Sequence, residues 1–117
     1  MRREHYGRII AVGAAGTAKA GELPFDYMFG KTGRSALIKS LAVREIVNGI
    51  TCNVIAPGHT PHFTMRQAID AAKHSAAWKR RTKAQQQDVA EAVRFLCSDE
   101  AAFVTGSVIE LAGNATG

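Results

Sequence analysis

Gly49-Ile50-Thr51-Cys52-Asn53-Val54-Ile55-Ala56-Pro57-Gly58 is the stretch on which the fold turns. Residues 50–56 are rich in β-branched side chains, too few for a helix of ordinary length, and they stop at a Pro-Gly pair that ends regular structure. They are read as a buried strand running into a turn. Immediately upstream, the apolar set Phe29, Ala36, Leu37, Leu41, Val43, Ile46 and Val47 recurs at three- and four-residue steps, and Asn48-Gly49 supplies a stop signal. The spacing predicts a helix from Tyr27 to Val47, about 30 Å long at 1.5 Å per residue. Further upstream, Arg8-Ile9-Ile10-Ala11-Val12 is a second short apolar strand that enters the small-residue cluster Gly13-Ala14-Ala15-Gly16. Residues 17–25 are read as loop.

Downstream of Gly58, residues 59–64 are read as loop, and Met65 to about Lys83 as a basic helical stretch in which Arg66, Lys73, Lys79, Arg80, Arg81 and Lys83 face one acid, Asp70. Asp88 to Cys97 carries Val89, Val93 and Leu96 at i, i+4 and i+7, the pattern of an amphipathic helix. After Ser98-Asp99-Glu100, residues Phe103 to Gly106 lead into a third strand, Ser107 to Leu111, and a small polar tail from Ala112 to Gly117 is expected to fray. The order strand, helix, strand, helices, strand predicts an α/β fold with a parallel sheet, because each pair of strands is separated by enough chain for a crossover. Parallel strands need cover on both faces, and three of them make a small sheet. The chain is therefore expected to be a single partial domain over residues 1–117.

Composition narrows the class of protein. With 117 residues, 46% hydrophobic and 21% charged, the chain has the usage of a globular domain and not of a disordered or collagen-like one. Fifteen Lys and Arg against ten Asp and Glu leave a net charge of +5, which keeps anionic partners open. The only aromatic near the basic cluster is Trp78, and no nucleic-acid reader motif accompanies it, so a solvated face is the preferred reading and no nucleic-acid partner is expected. The first eight residues hold no apolar leader, and no run approaches the roughly 20 apolar residues that span a bilayer. A soluble, cytoplasmic chain without a membrane partner is expected. Cys52 and Cys97 sit in apolar segments outside any C-x-x-C pair and are both expected to be buried reduced thiols. His59 and His62 are three apart, and His5 and His74 complete the histidines. A loop pair without a carboxylate or Cys partner is more often structural, so no metal is expected.

Tyr27 and Lys31 are four residues apart at the start of the long helix, hence on one face and one turn apart. An ammonium in that position favours an ionised phenol, which suits the pair to proton transfer.

Taken together, the chain resembles the short-chain dehydrogenase/reductase family from about Gly7 to Gly113. The resemblance rests on Gly7-Arg8-Ile9-Ile10 before a small-residue loop, Tyr27-Met28-Phe29-Gly30-Lys31 as the family's Y-x-x-x-K, and Gly49 to Gly58 as its strand and P-G loop. The runs Asp88 to Leu96 and Ser98 to Gly106 match its closing helix and the approach to its final strand. What the resemblance implies is a Rossmann-type fold in which Tyr27 is the general acid/base toward a carbonyl or alcohol. Lys31 would favour the ionised phenol while holding the nicotinamide ribose of NAD or NADP. Pro57, Gly58 and Thr60 would lie at the nicotinamide end, and the basic stretch from Arg66 onward would correspond to a substrate-covering lid. A dimer or higher homo-oligomer is implied as well.

Three departures shape the expectations. The family opens with a strand, a glycine-rich phosphate turn and a helix, and this chain starts past them. Gly13-Ala14-Ala15-Gly16 does not replace that turn, because the residues through Gly21 and Pro24 open no helix whose N-terminus could hold a pyrophosphate. The chain alone is thus expected to hold neither dinucleotide tightly, and a complementing N-terminal half is an expected partner. Thirteen residues before the Tyr the family places its catalytic serine, and this chain has Ala14, with Thr17 nearby. The family's threonine after the P-G loop falls at His62, with Thr60 and Thr64 out of register, and its Asp-Gly-Gly-like end reads Ala112-Gly113-Asn114. The expected function is the C-terminal part of an NAD(P)-dependent oxidoreductase, inactive alone, and the alternative is a catalytically silent, oligomerising remnant.

Overall fold

A computed structural model describes residues 1–15, 24–58, 60, 64–73 and 84–112. The readings made for Thr17, His59, His62, His74, Trp78, the basic residues Lys79, Arg80, Arg81 and Lys83, and the tail from Gly113 lie outside the described residues. Three strands, β1 (Gly7–Val12), β2 (Ile50–Pro57) and β3 (Val108–Leu111), form a sheet in the order β1-β2-β3. Both pairings are parallel, with Gly7 opposite Ile50 and Val54 opposite Val108 at their starts. The α/β parallel architecture expected from the sequence is the one observed.

β2 is the middle strand, and all its residues but Pro57 are buried. Alternation sends Ile50, Cys52 and Val54 to one face. There they meet Ile38 and Ala42 of helix α1 (Phe25–Glu45), with Ile9, Ala11 and Leu41 packed around them. Thr51, Asn53 and Ile55 point the other way, the side on which α3 (Gln86–Cys97) is anchored by its one fully buried residue, Leu96. Between them in sequence lies the short helix α2 (Met65–Lys73), where the expected stretch from Met65 is helical for as far as it is described.

Two polar fastenings hold the strands in register. Buried Asn53 donates through Nδ2 to the Val104 carbonyl at 2.8 Å, and its Oδ1 accepts from the Ser107 N–H at 3.1 Å. The Thr105 hydroxyl accepts from the Cys52 N–H at 3.0 Å. Residues 104–107 are in this way stitched to β2 before β3 begins. At the far end of α1, residues 46–48 tighten into a 3-10 turn and Gly49 closes it at φ 69°, donating to the Ile46 carbonyl. Only glycine fits there, since a Cβ would run into the His5 carbonyl of the N-terminal segment lying across it.

One expectation needs correction. Cys52 is buried, but Cys97 is exposed. It follows Leu96 by one residue, about 100° around the helix, so burying Leu96 turns Cys97 outward.

Candidate active site at the carboxyl ends of the strands

Parallel α/β sheets present their functional groups beyond the carboxyl ends of the strands. At the end of β1, the backbone continues alongside β2: the Gly13 N–H donates to Ile55 at 2.7 Å and the Ala15 N–H to the Pro57 carbonyl at 2.9 Å. Ala14 lies between them, half-buried, beside the last residue of β2. At the end of β2, the Gly58 N–H donates to the Leu111 carbonyl at 3.1 Å. A Cβ on Gly58 would lie 3.4 Å from Ala112 Cα, so the P-G turn and β3 are in close approach. Thr60 folds its hydroxyl back onto the Gly58 carbonyl at 3.1 Å. Pro57, Gly58 and Thr60 are thereby grouped at one rim of the sheet.

Helix α1 brings Lys31 to the end of β1, with Tyr27 one turn away along the helix. The Lys31 ammonium lies 5.6 Å from the centroid of the Tyr27 ring, within the range of cation–π attraction, and it donates to the Val12 carbonyl at 3.3 Å. Tyr27 is 44% exposed. Sequence reasoning missed one cation: Arg34, one turn beyond Lys31, also donates to the Val12 carbonyl, at 3.0 Å. Its spacing of three from Lys31 was the available signal.

Among the described residues, the groups suit one end of a dinucleotide and not the other. Lys31, Tyr27 and the P-G turn offer donors, a ring and close backbone, the surroundings that a nicotinamide and its ribose require. A pyrophosphate needs a helix N-terminus with free N–H groups. In α1 the Asp26 carboxylate already accepts from the Tyr27 N–H. α2 is capped reciprocally by Thr64 and Gln67, and α3 by Gln85 and Asp88. Every described α-helix start therefore carries an acceptor of its own.

Elsewhere, a concavity of about 450 Å³ is lined by Glu91, Arg94, Phe95, Ser98 and Glu100. It lies at the end of α3, away from Tyr27 and Lys31, and holds no nucleophile paired with a base. Among the described residues no three His, Cys, Asp or Glu side chains cluster as a metal site, and no helix is long and apolar enough to cross a membrane.

A Tyr-x-x-x-Lys pair on the helix between two parallel strands points to a class, and comparison with known proteins agrees: the chain belongs to the short-chain dehydrogenase/reductase family. The matching family model, described as enoyl-(acyl carrier protein) reductase, spans residues 1–113. Among individual relatives, the chain is 33% identical to the 3-oxoacyl-(acyl-carrier-protein) reductase FabG of Escherichia coli, over 97% of this chain and 47% of that one. The FabG of Haemophilus influenzae is 31% identical over 97% and 48%. A solved oxidoreductase of the family from Burkholderia thailandensis superimposes with a TM-score of 0.74 at 27% identity, over all of this chain and 48% of the other. The chain spans about half the length of the relatives it matches.

Proposed function

We propose that the chain is the carboxyl-terminal part of an NAD(P)-dependent carbonyl reductase or alcohol dehydrogenase, active when a second half of the fold joins it. The observation that carries this reading is the Lys31 ammonium, 5.6 Å from the Tyr27 ring and at the same time held to the end of β1. Tyr27 gives its phenolic proton to a carbonyl oxygen as negative charge develops there, or takes one from an alcohol in the reverse direction. Lys31 stabilises the phenolate left behind. Lys31 and Tyr27 would hold the nicotinamide ribose, with Pro57, Gly58 and Thr60 against the nicotinamide. When bound, the dinucleotide supplies or accepts the hydride. A 3-oxoacyl group is the carbonyl that the names of the reductase relatives suggest. A cytoplasmic site accords with the two free cysteines.

Ala14 weakens the machinery. A hydroxyl at that position would polarise the substrate carbonyl, and removing one such donor lowers rates by about 10²- to 10³-fold. The test follows NADPH and NADH absorbance with a panel of carbonyl substrates, for the chain with and without the amino-terminal half of the E. coli reductase. Slow turnover only in the complemented sample is expected, abolished by Tyr27→Phe and raised about 10²-fold by Ala14→Ser. Turnover untouched by both substitutions overturns the assignment.

A second reading, a silent module that works by self-association, is favoured by one feature. α1 exposes Phe25, Phe29, Leu37 and Val43, with Val47 beyond its end, on surface that nothing else in the described chain covers.

A further inference from the structure

The Val12 carbonyl is one that the sheet does not use. The Gly13 N–H points at Ile55 on β2, and in a trans peptide the carbonyl of the preceding residue points the opposite way. The Val12 oxygen therefore projects from the outer edge of β1, whose one partner among the described residues is β2. Two cations from one face of α1 meet it there, Arg34 at 3.0 Å and Lys31 at 3.3 Å. A carbonyl oxygen has two lone pairs, so the two donors saturate it.

An open edge of this kind is a template for another strand, and cations laid across an edge are a common way of keeping it unpaired. A strand arriving along β1 would bring a backbone N–H to the position that Arg34 and Lys31 now occupy. We propose that the Val12 carbonyl is a latch: in the chain alone it holds Lys31 and Arg34 across the edge of β1, and an incoming strand takes that carbonyl with a backbone N–H and releases the Lys31 ammonium, already beside the Tyr27 ring, from the strand. The strand comes from polypeptide equivalent to the half of the relatives that this chain does not match, since the match uses 97% of this chain and only 47% of the E. coli reductase. Arg34 is then a positioning residue. It shares the load on the carbonyl, so that Lys31 is held loosely enough to leave. The role of Lys31 after release rests on the function proposed above, whereas the latch rests on the hydrogen bonds alone.

The sequence offers an unusually direct probe. Val-Gly occurs once, at Val12-Gly13, so labelling valine carbonyls with carbon-13 and glycine nitrogens with nitrogen-15 gives one cross-peak that reports this carbonyl. In the chain alone, Arg34→Met and Lys31→Met should each move the carbonyl resonance toward the value of a less hydrogen-bonded group, and Arg34→Lys should restore part of the shift. A resonance unmoved by all three overturns the latch. The second arm uses a fusion that joins the unmatched amino-terminal part of the E. coli reductase to Met1. There the resonance should be the same with Arg34 and with Arg34→Met, because a backbone N–H now holds the oxygen. Continued sensitivity to Arg34→Met, or a fusion whose β1 amides stay open to hydrogen exchange, refutes the release step. If dilution of the unfused chain alone switches the sensitivity on and off, a second copy occupies the edge and the assigned partner is wrong. No arm measures turnover, so failure of the latch and failure of the Tyr27–Lys31 chemistry can be told apart.

Discussion

Glu45 sits at the buried end of α1, 6% exposed, with Arg2 donating to both of its oxygens and Asn48 donating to Oε2 at 3.0 Å. The Arg2 bonds first, and the Asn48 bond second, hold its carboxyl down at about 2. A carboxylate of the unfolded chain titrates near 4.3. Because the folded value is the lower one, the stabilisation is fully present above that range and is lost as pH falls toward 2. Urea midpoints measured from pH 6 to 2.5 should fall for the wild type and fall less for Glu45→Gln. Equal slopes would show that the Arg2–Glu45 pair does not couple to folding. Burial, with the Glu45 charge added to it, pushes the Cys52 thiol up and keeps it protonated. Glu45 could have been read from sequence, since 38, 42 and 45 continue one helical stripe and a carboxylate within it calls for a partner. Arg2 could not, being 43 residues away with no pattern linking the two.

At the level of elements, legibility followed burial. β2 was plain because a strand covered on both faces needs apolar and β-branched residues throughout. α1 begins at Phe25, two residues before its expected start and directly after Pro24, with Phe25 and Phe29 stacked on each other at the exposed end of the helix. Hydrophobic periodicity reports the face that is buried, and Phe25 is 83% exposed. The other end was legible for a steric reason, with Gly49 in the left-handed region that a helix stop favours. Gly49→Ala should cost about 1–3 kcal/mol from the backbone conformation alone, with displacement of the His5 segment adding to it. Chemical denaturation reads the loss directly, and a stability unchanged within error would mean that the N-terminal segment does not lie across this turn. Tyr27 and Lys31 were singled out from their four-residue spacing together with the family's Y-x-x-x-K, which the resemblance supplies. Arg34 was not, because its significance depends on where the Val12 carbonyl points, a property of strand pairing that local sequence does not encode.

On the scale of the whole molecule, the described residues leave a large apolar surface open along α1. The apolar stripe of α1 is joined by Gly30 and Gly33, which have nothing within 4 Å of where a Cβ would stand. Glycines weaken a helix interior by roughly 1 kcal/mol each, so glycines that no described neighbour requires mark a place where another surface comes close. Self-association, as a dimer or higher, is the expected state at about tens of micromolar, where exposed apolar surface and strand edges drive contacts. Light scattering that gives a clean monomer at that concentration, with Val43→Lys making no difference, contradicts it. On the proposed reading, the chain carries the proton-transfer pair and the nicotinamide end of a site whose pyrophosphate end is formed by the other half of the fold. Calorimetric titration of NADPH and NADH into the pure chain measures what that division of the site implies. Binding weaker than about 1 mM is expected, since the contacts available are those of one end of the ligand. Micromolar binding of either dinucleotide to the chain alone would contradict the claim.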